Sequence, residues 1–273
     1  MEILTIITVL FYLISTAAYF AYLFNQNDRF FKLGFYLLIA GFACHTAAVG
    51  YAYVISGHLP VYNLHGTLLT AGWAVAGVFI FLQYKFHLKI LGIYAAPLVT
   101  LVIFVASQLP NIPPATKNVF NGFWIVFHII TVFIGDAAFA LACGVGLFYI
   151  AQERAIKMKI QGFLFKRLPS LEFIDNTGYA CIVIGFTMLT IGLITGMVYA
   201  QLIWGRFWSW DPKEIWSGIT WLLYATLLHG RVSVGWRGRK AAIMSIIGFA
   251  VLLFTFFGVN FLLEGHHGEF TRY

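Results

Sequence analysis

The strongest constraint on this chain is a succession of apolar runs, each about the length of a bilayer crossing, joined by short polar connections. About 20 apolar residues cover the hydrocarbon core, and eight runs fit: 3–24, 33–55, 66–84, 88–107, 119–151, 178–203, 214–231 and 241–263. Of the 273 residues, 61% are hydrophobic and 10% charged, whereas about a quarter are charged in a soluble domain. Lipid offers no partner to an unpaired backbone group, and strand-type alternation is absent, so the runs read as helices. The expected fold class is all-α: a polytopic membrane helix bundle of about eight transmembrane helices, a single membrane domain over 1–273. The first run follows Glu2 rather than a basic segment and lacks a small-x-small cleavage site, so it reads as a retained span.

Orientation follows from the lysines and arginines. Thirteen fall in alternate connections: Arg29, Lys32, Lys85, Lys89, Arg154, Lys157, Lys159, Lys166, Arg167, Arg231, Arg237, Arg239 and Lys240. Four fall on the other side: Lys117, Arg206, Lys213 and Arg272. The positive-inside rule then places both termini outside the cytoplasm. The net charge of +7 is an inner-loop property facing anionic lipid and implies no nucleic-acid partner. The mixed basic and apolar segment 153–175 is expected to lie on the inner lipid surface.

The three cysteines, Cys44, Cys143 and Cys181, sit in apolar runs with no CxxC or CxxCH pattern. They read as packed thiols, so the chain is not itself a c-type cytochrome.

One outer connection differs from the rest. The stretch 204-WGRFWSWDPKEIWSG-218 holds four tryptophans, a phenylalanine and four charged residues. Asp211, Pro212, Lys213 and Glu214 have the grammar of an N-cap, an N1 proline and a capping-box N3 residue, which predicts a helix start. An interfacial aromatic belt accounts for scattered tryptophans, but not for a cluster in the single loop 204–216. With Arg206 and Lys213 beside it, the cluster offers flat apolar faces and cations, a combination suited to a planar ligand with carboxylates. Porphyrin fits; a quinone or an aromatic drug also stacks.

Eight histidines add ligand chemistry. His45 and His229 fall inside spans, where an ionisable side chain is expensive and points to function, although a packed, hydrogen-bonded histidine is the plainer alternative. His128 lies in the outer part of its span; His58 and His65 are in an outer loop, with His266 and His267 just after the last span. Two sites of two imidazoles suit haem iron. Structural zinc expects four close ligands, which no cluster supplies. A b-type electron-transfer bundle remains a competing reading, as does an unassigned structural or proton-relay role for Asp136.

Trp204, Gly205, Trp208, Trp210, Asp211 and Pro212, followed by 216-WSGITWLLYATLLHGR-231, resemble the tryptophan-rich signature of the cytochrome c assembly superfamily. The segments 44–64, 124–142 and 258–268 resemble its System II branch, the CcsA or ResC type, over essentially the whole chain. The resemblance implies haem b (iron protoporphyrin IX) held in the membrane by His45 and His229, and at the outer surface by His128 and His267. The tryptophan loop, through Trp204, Gly205, Trp208, Trp210 and Asp211, would cover that outer haem. It further implies covalent attachment to the CxxCH motif of apocytochrome c, with His128, His267, Trp208, Trp210 and Asp211 at the reacting face. A Ccs1/ResB-type membrane protein and thiol-reducing thioredoxin-like proteins are the implied partners. The implied location is a bacterial cytoplasmic or thylakoid membrane, active on the outer or lumenal face. His266 stands beside the chosen His267, and His65 replaces the aromatic residue of relatives in 63-NLHGT-67, where it is expected to be a surface residue. A HemX-like haem-binding regulator is the alternative within the superfamily, and the full tryptophan loop argues against it.

Overall fold

The structure is a computed structural model in which residues 2–111, 122–159, 162–163 and 165–259 are described. Among them, eight α-helices follow one another: α1 (Glu2–Asn25), α2 (Asp28–Ser56), α3 (Leu64–Phe86), α4 (Gly92–Gln108), α5 (Phe123–Lys157), α6 (Leu171–Trp204), α7 (Pro212–Ser233) and α8 (Arg239–Leu253). No strand occurs in the described residues. Seven of the helices are long and apolar enough to cross a membrane. The exception is α7, long enough at 22 residues but carrying Lys213, Glu214, His229 and Arg231.

Small polar side chains set the helix starts. Asn27 accepts from Arg29 N at 3.0 Å, Asn63 from Gly66 N at 2.7 Å, and Ser170 from Phe173 N at 3.3 Å. Each supplies an acceptor to a first-turn donor that has no intrahelical partner.

Two helix groups meet along α5. On one side α1 packs on α2 and α4, and α3 on α4; on the other, α5 packs on α6 and α8, with α7 against α6 and α8. Contacts between α3 and α5 join the groups. The shared core includes Tyr12, Tyr19, Phe79, Phe139 and Tyr224, all without exposure. Lipid gives no hydrophobic drive between helices, so close packing and polar contacts do that work. Ser15 Oγ donates to Gly34 O at 2.7 Å across α1 and α2, and Trp221 Nε1 donates to Thr190 Oγ1 at 2.9 Å across α7 and α6.

The four basic connections gather at one end of the bundle. Lys89 meets Asp28 at 2.8 Å, joining the α3–α4 and α1–α2 connections. Arg167 donates to Leu23 O and Phe24 O at the end of α1. Arg231 meets Asp175 at 2.7 Å, tying the end of α7 to the start of α6, and Arg239 approaches Glu153 at 3.7 Å.

The segment 153–175 departs from the expectation of a surface-lying stretch. Its beginning prolongs α5 to Lys157, its end already belongs to α6 from Leu171, and Arg167 between them caps the last carbonyls of α1. The basic side chains are thus partly spent on the bundle itself. The expected spans also stop short at several ends, α6 beginning seven residues before 178, because hydropathy marks the lipid-facing length while the helix continues into polar sequence. Residues 119–121 and 260–263 of two expected spans lie outside the described residues.

Candidate functional site

At the end of α5 and α6 away from the basic connections a cavity of about 240 Å³ opens beneath the tryptophan loop. Its wall combines α5 (His128, Val132, Asp136), α6 (Gly196, Trp204), the loop (Phe207, Trp208), α7 (Lys213, Glu214), and Leu252 of α8 with Thr255 and Phe256 just beyond its end. Three stretches distant in sequence, around 128–136, 196–214 and 252–256, converge here, including the two that the sequence singled out separately.

His128 is fixed by its neighbour helix. Its Nδ1 lies 2.7 Å from Gly192 O. A carbonyl only accepts, so Nδ1 carries the proton, the tautomer typical of a metal-binding histidine. The ring is seated against Gly196, where a Cβ would stand 2.8 Å from His128 Cε1. Only glycine lets α6 approach the imidazole this closely.

The loop is held from both ends. Gly205, with φ of 69°, closes α6 in the left-handed region that glycine adopts without strain, and its N–H donates to Gln201 O. At the other end the expected capping box forms: Asp211 accepts from Lys213 N at 2.9 Å, and Glu214 accepts from Asp211 N at 3.3 Å. Glu214 also takes Ser209 N at 2.7 Å and Ser209 Oγ at 2.9 Å. One carboxylate therefore gathers three donors of the loop, a use of Glu214 that capping grammar alone did not suggest. Asp211 is 5% exposed; it is a buried cap of α7.

The tryptophans do not form one parallel plate. Trp204 and Trp208 line the cavity, while Trp210 is 74% exposed and meets Trp208 edge-on, with ring centroids 6.0 Å apart at 85°. Trp210 has φ of 59°, a conformation unusual for a bulky residue and characteristic of strain kept at a working surface. Trp208 Nε1 is buried without an acceptor among the described residues, a donor that a carboxylate-bearing ligand would satisfy.

The other histidines are distributed differently. His45 is fully buried, its Nδ1 3.4 Å from Tyr12 Oη and its ring edge-on to that tyrosine. His229 is exposed on α7. α2 packs on α1 and α3, and α7 on α6 and α8, so the two residues stand on helices of different groups. His65 is not the expected surface residue: it is 8% exposed, with Nδ1 2.7 Å from Ala106 O, joining α3 to α4. Its ring finds a carbonyl on the neighbouring helix, which a loop-by-loop reading could not foresee. His58 is buried as well, against Tyr62 with centroids 3.8 Å apart. His266 and His267 lie outside the described residues. No cluster of three or more His, Cys, Asp or Glu suited to a metal ion occurs among the described residues. The three cysteines are free and partly or fully buried. Asp136, left without a role by sequence, belongs to the cavity wall.

The site residues present fit a haem: an oriented imidazole, indole faces, a cation and an indole N–H without an acceptor surround one cavity. The family described as Cytochrome C assembly protein matches residues 61–267. The cytochrome c biogenesis protein CcsA of Guillardia theta is 31% identical over 285 residues, covering 96% of this chain and 93% of its own. CcsA of Prochlorococcus marinus (strain MIT 9301) is 33% identical, covering 81% of this chain and 79% of its own. CcsA of Chlorella vulgaris is 31% identical, covering 82% and 81%. The solved cytochrome c haem lyase CcmF shares the fold at a TM-score of 0.65 and 17% identity; the match covers 98% of this chain and 47% of that one. An integral-membrane helix bundle that encloses this cavity, and matches these relatives along most of its length, belongs to the cytochrome c assembly family, in its System II, CcsA-type branch.

Proposed function

We propose that the chain binds haem b in the outer cavity and presents it for covalent attachment to apocytochrome c. The observation that carries this reading is the convergence of His128, with its tautomer set by Gly192, and the tryptophan loop on one cavity. His128 would hold the haem iron, together with His267 by its place in the family pattern. Trp204 and Trp208 would lie against the porphyrin, and Lys213 and Arg206 would meet its carboxylates. When bound, haem supplies the vinyl groups that become thioethers with the CxxCH thiols. The chain's part is to fix the macrocycle at the mouth, exclude water with apolar walls, and leave one edge accessible. Trp210 and Phe207, exposed at 74% and 59%, form the rim that an apocytochrome segment would meet.

A Ccs1/ResB-type membrane protein and thioredoxin-like reductants of the CxxCH thiols complete the proposed system, with the cavity mouth on the outer or lumenal face. His45 and His229 would hold a second haem within the membrane, by their place in the family pattern. Purified protein loaded with haem tests the ligand assignment. A low-spin spectrum in the parent, and its loss at the outer site in His128→Ala and in His267→Ala, is expected. Equal haem content and an unchanged spectrum in both variants would sink the assignment.

A further inference from the structure

The inner wall of the cavity carries a carboxylate, Asp136, for which the proposed function has no use. Asp136 follows His128 by eight residues on the stripe of α5 that includes Val132, and all three line the cavity. At ~1.5 Å per residue, Asp136 lies ~12 Å further along the axis. Lys213 reaches the same cavity from the first turn of α7, close enough to feel the charge of Asp211 at the mouth and of Asp136 below. The remaining carboxylate on the wall, Glu214, is occupied by Ser209 and by Asp211 N.

A carboxylate facing an apolar cavity needs a cation, and a lysine ammonium on its flexible stem can serve one carboxylate or another. We propose that Asp136 governs how strongly the cavity takes a ligand's carboxylate, by competing with it for the Lys213 ammonium. An anionic group entering from the mouth displaces a resident counter-ion; a neutral group does not. Asp136 is thus a specificity residue acting through Lys213. The proposal rests on the reading of the cavity as a porphyrin site, whose two propionates are the carboxylates concerned.

Metal-free protoporphyrin IX removes the contribution of the histidines, so the test is a titration of the detergent-solubilised full chain with this porphyrin and with its dimethyl ester, read by quenching of tryptophan fluorescence. Asp136→Asn should tighten the free acid about ten-fold and leave the ester within about two-fold. Asp136→Glu should behave as the parent. Lys213→Gln should weaken the free acid toward the ester. If Asp136→Asn does not fold, the charge-balanced double variant Asp136→Asn/Lys213→Gln decides: because Asp136 acts through Lys213, it should show the same acid-over-ester preference as Lys213→Gln alone, and a different preference overturns the proposal. An unchanged or weakened affinity of Asp136→Asn for the acid also overturns it, while the porphyrin reading stands. Absence of saturable binding of either porphyrin by the parent removes that reading and the proposal with it.

Discussion

At the residue scale the account turns on His128 and the surface that seats it. A Cβ at position 196 would fall 2.8 Å from His128 Cε1 and 3.0 Å from Nδ1. Gly196→Val should therefore push the ring off its bond to Gly192 O and reduce low-spin haem as much as His128→Ala does, with Gly196→Ala between. Absorbance of the purified variants at equal protein checks this, and a full haem complement in Gly196→Val would contradict it. The indoles give a second expectation. Trp208→Ala should weaken porphyrin retention about ten-fold, from a stacking and burial loss of about 1 to 3 kcal/mol. Trp210→Gly accommodates the positive φ without strain, so any fall in attachment in that variant reports the lost side chain and not a collapsed loop. His128 and the tryptophan cluster were legible in the sequence because each sits at an identifiable place along a span or loop. His45 and His229 were placed only by depth along their helices, which says nothing about which neighbour a side chain faces. His65 was misjudged for the same reason: its partner, Ala106 O, lies 41 residues away on another helix.

At the scale of elements, the capping box of α7 was readable from four consecutive residues because its bonds are local. The same sequence did not announce that Glu214 also holds Ser209, since that contact depends on how the loop returns over the helix start. Glu214→Ala leaves three loop donors without their acceptor and should make the loop between α6 and α7 more susceptible to proteolysis, at about 1 to 2 kcal/mol. Asp211→Asn should do less, since asparagine also caps well. At the opposite end, Asp175 accepts two bonds from Arg231, at 3.1 and 2.7 Å, and one from Gly238 N at 2.8 Å, with the ion pair 9% and 12% exposed. Asp175→Ala should lower stability by about 3 kcal/mol by leaving Arg231 unpaired in a buried place. Thermal unfolding in detergent should show that loss, and adding Arg231→Ala should cost less than its effect alone.

For the whole molecule, the helix count came from the lengths of the apolar runs, and the end-sorting of basic residues reappears as real contacts among Arg167, Arg231, Arg239 and Lys89. Composition could not say that the bundle divides into two groups meeting along α5, because that follows from which faces fit. Both termini outside the cytoplasm is the proposed orientation. Cysteines placed at Arg206 and Val234, two exposed positions in the outer and inner connections, should label from opposite sides, with position 206 reacting from outside. Labelling of both from one side would overturn the proposed orientation and with it the placing of the cavity mouth on the outer face. The most direct test of the central claim is the yield of covalent haem on an apocytochrome c coexpressed with this chain and its Ccs1/ResB-type partner, at matched protein levels. The account predicts holocytochrome with the parent chain and its loss with His128→Ala or with Trp204→Ala/Trp208→Ala. Normal holocytochrome yield from both variants would contradict it.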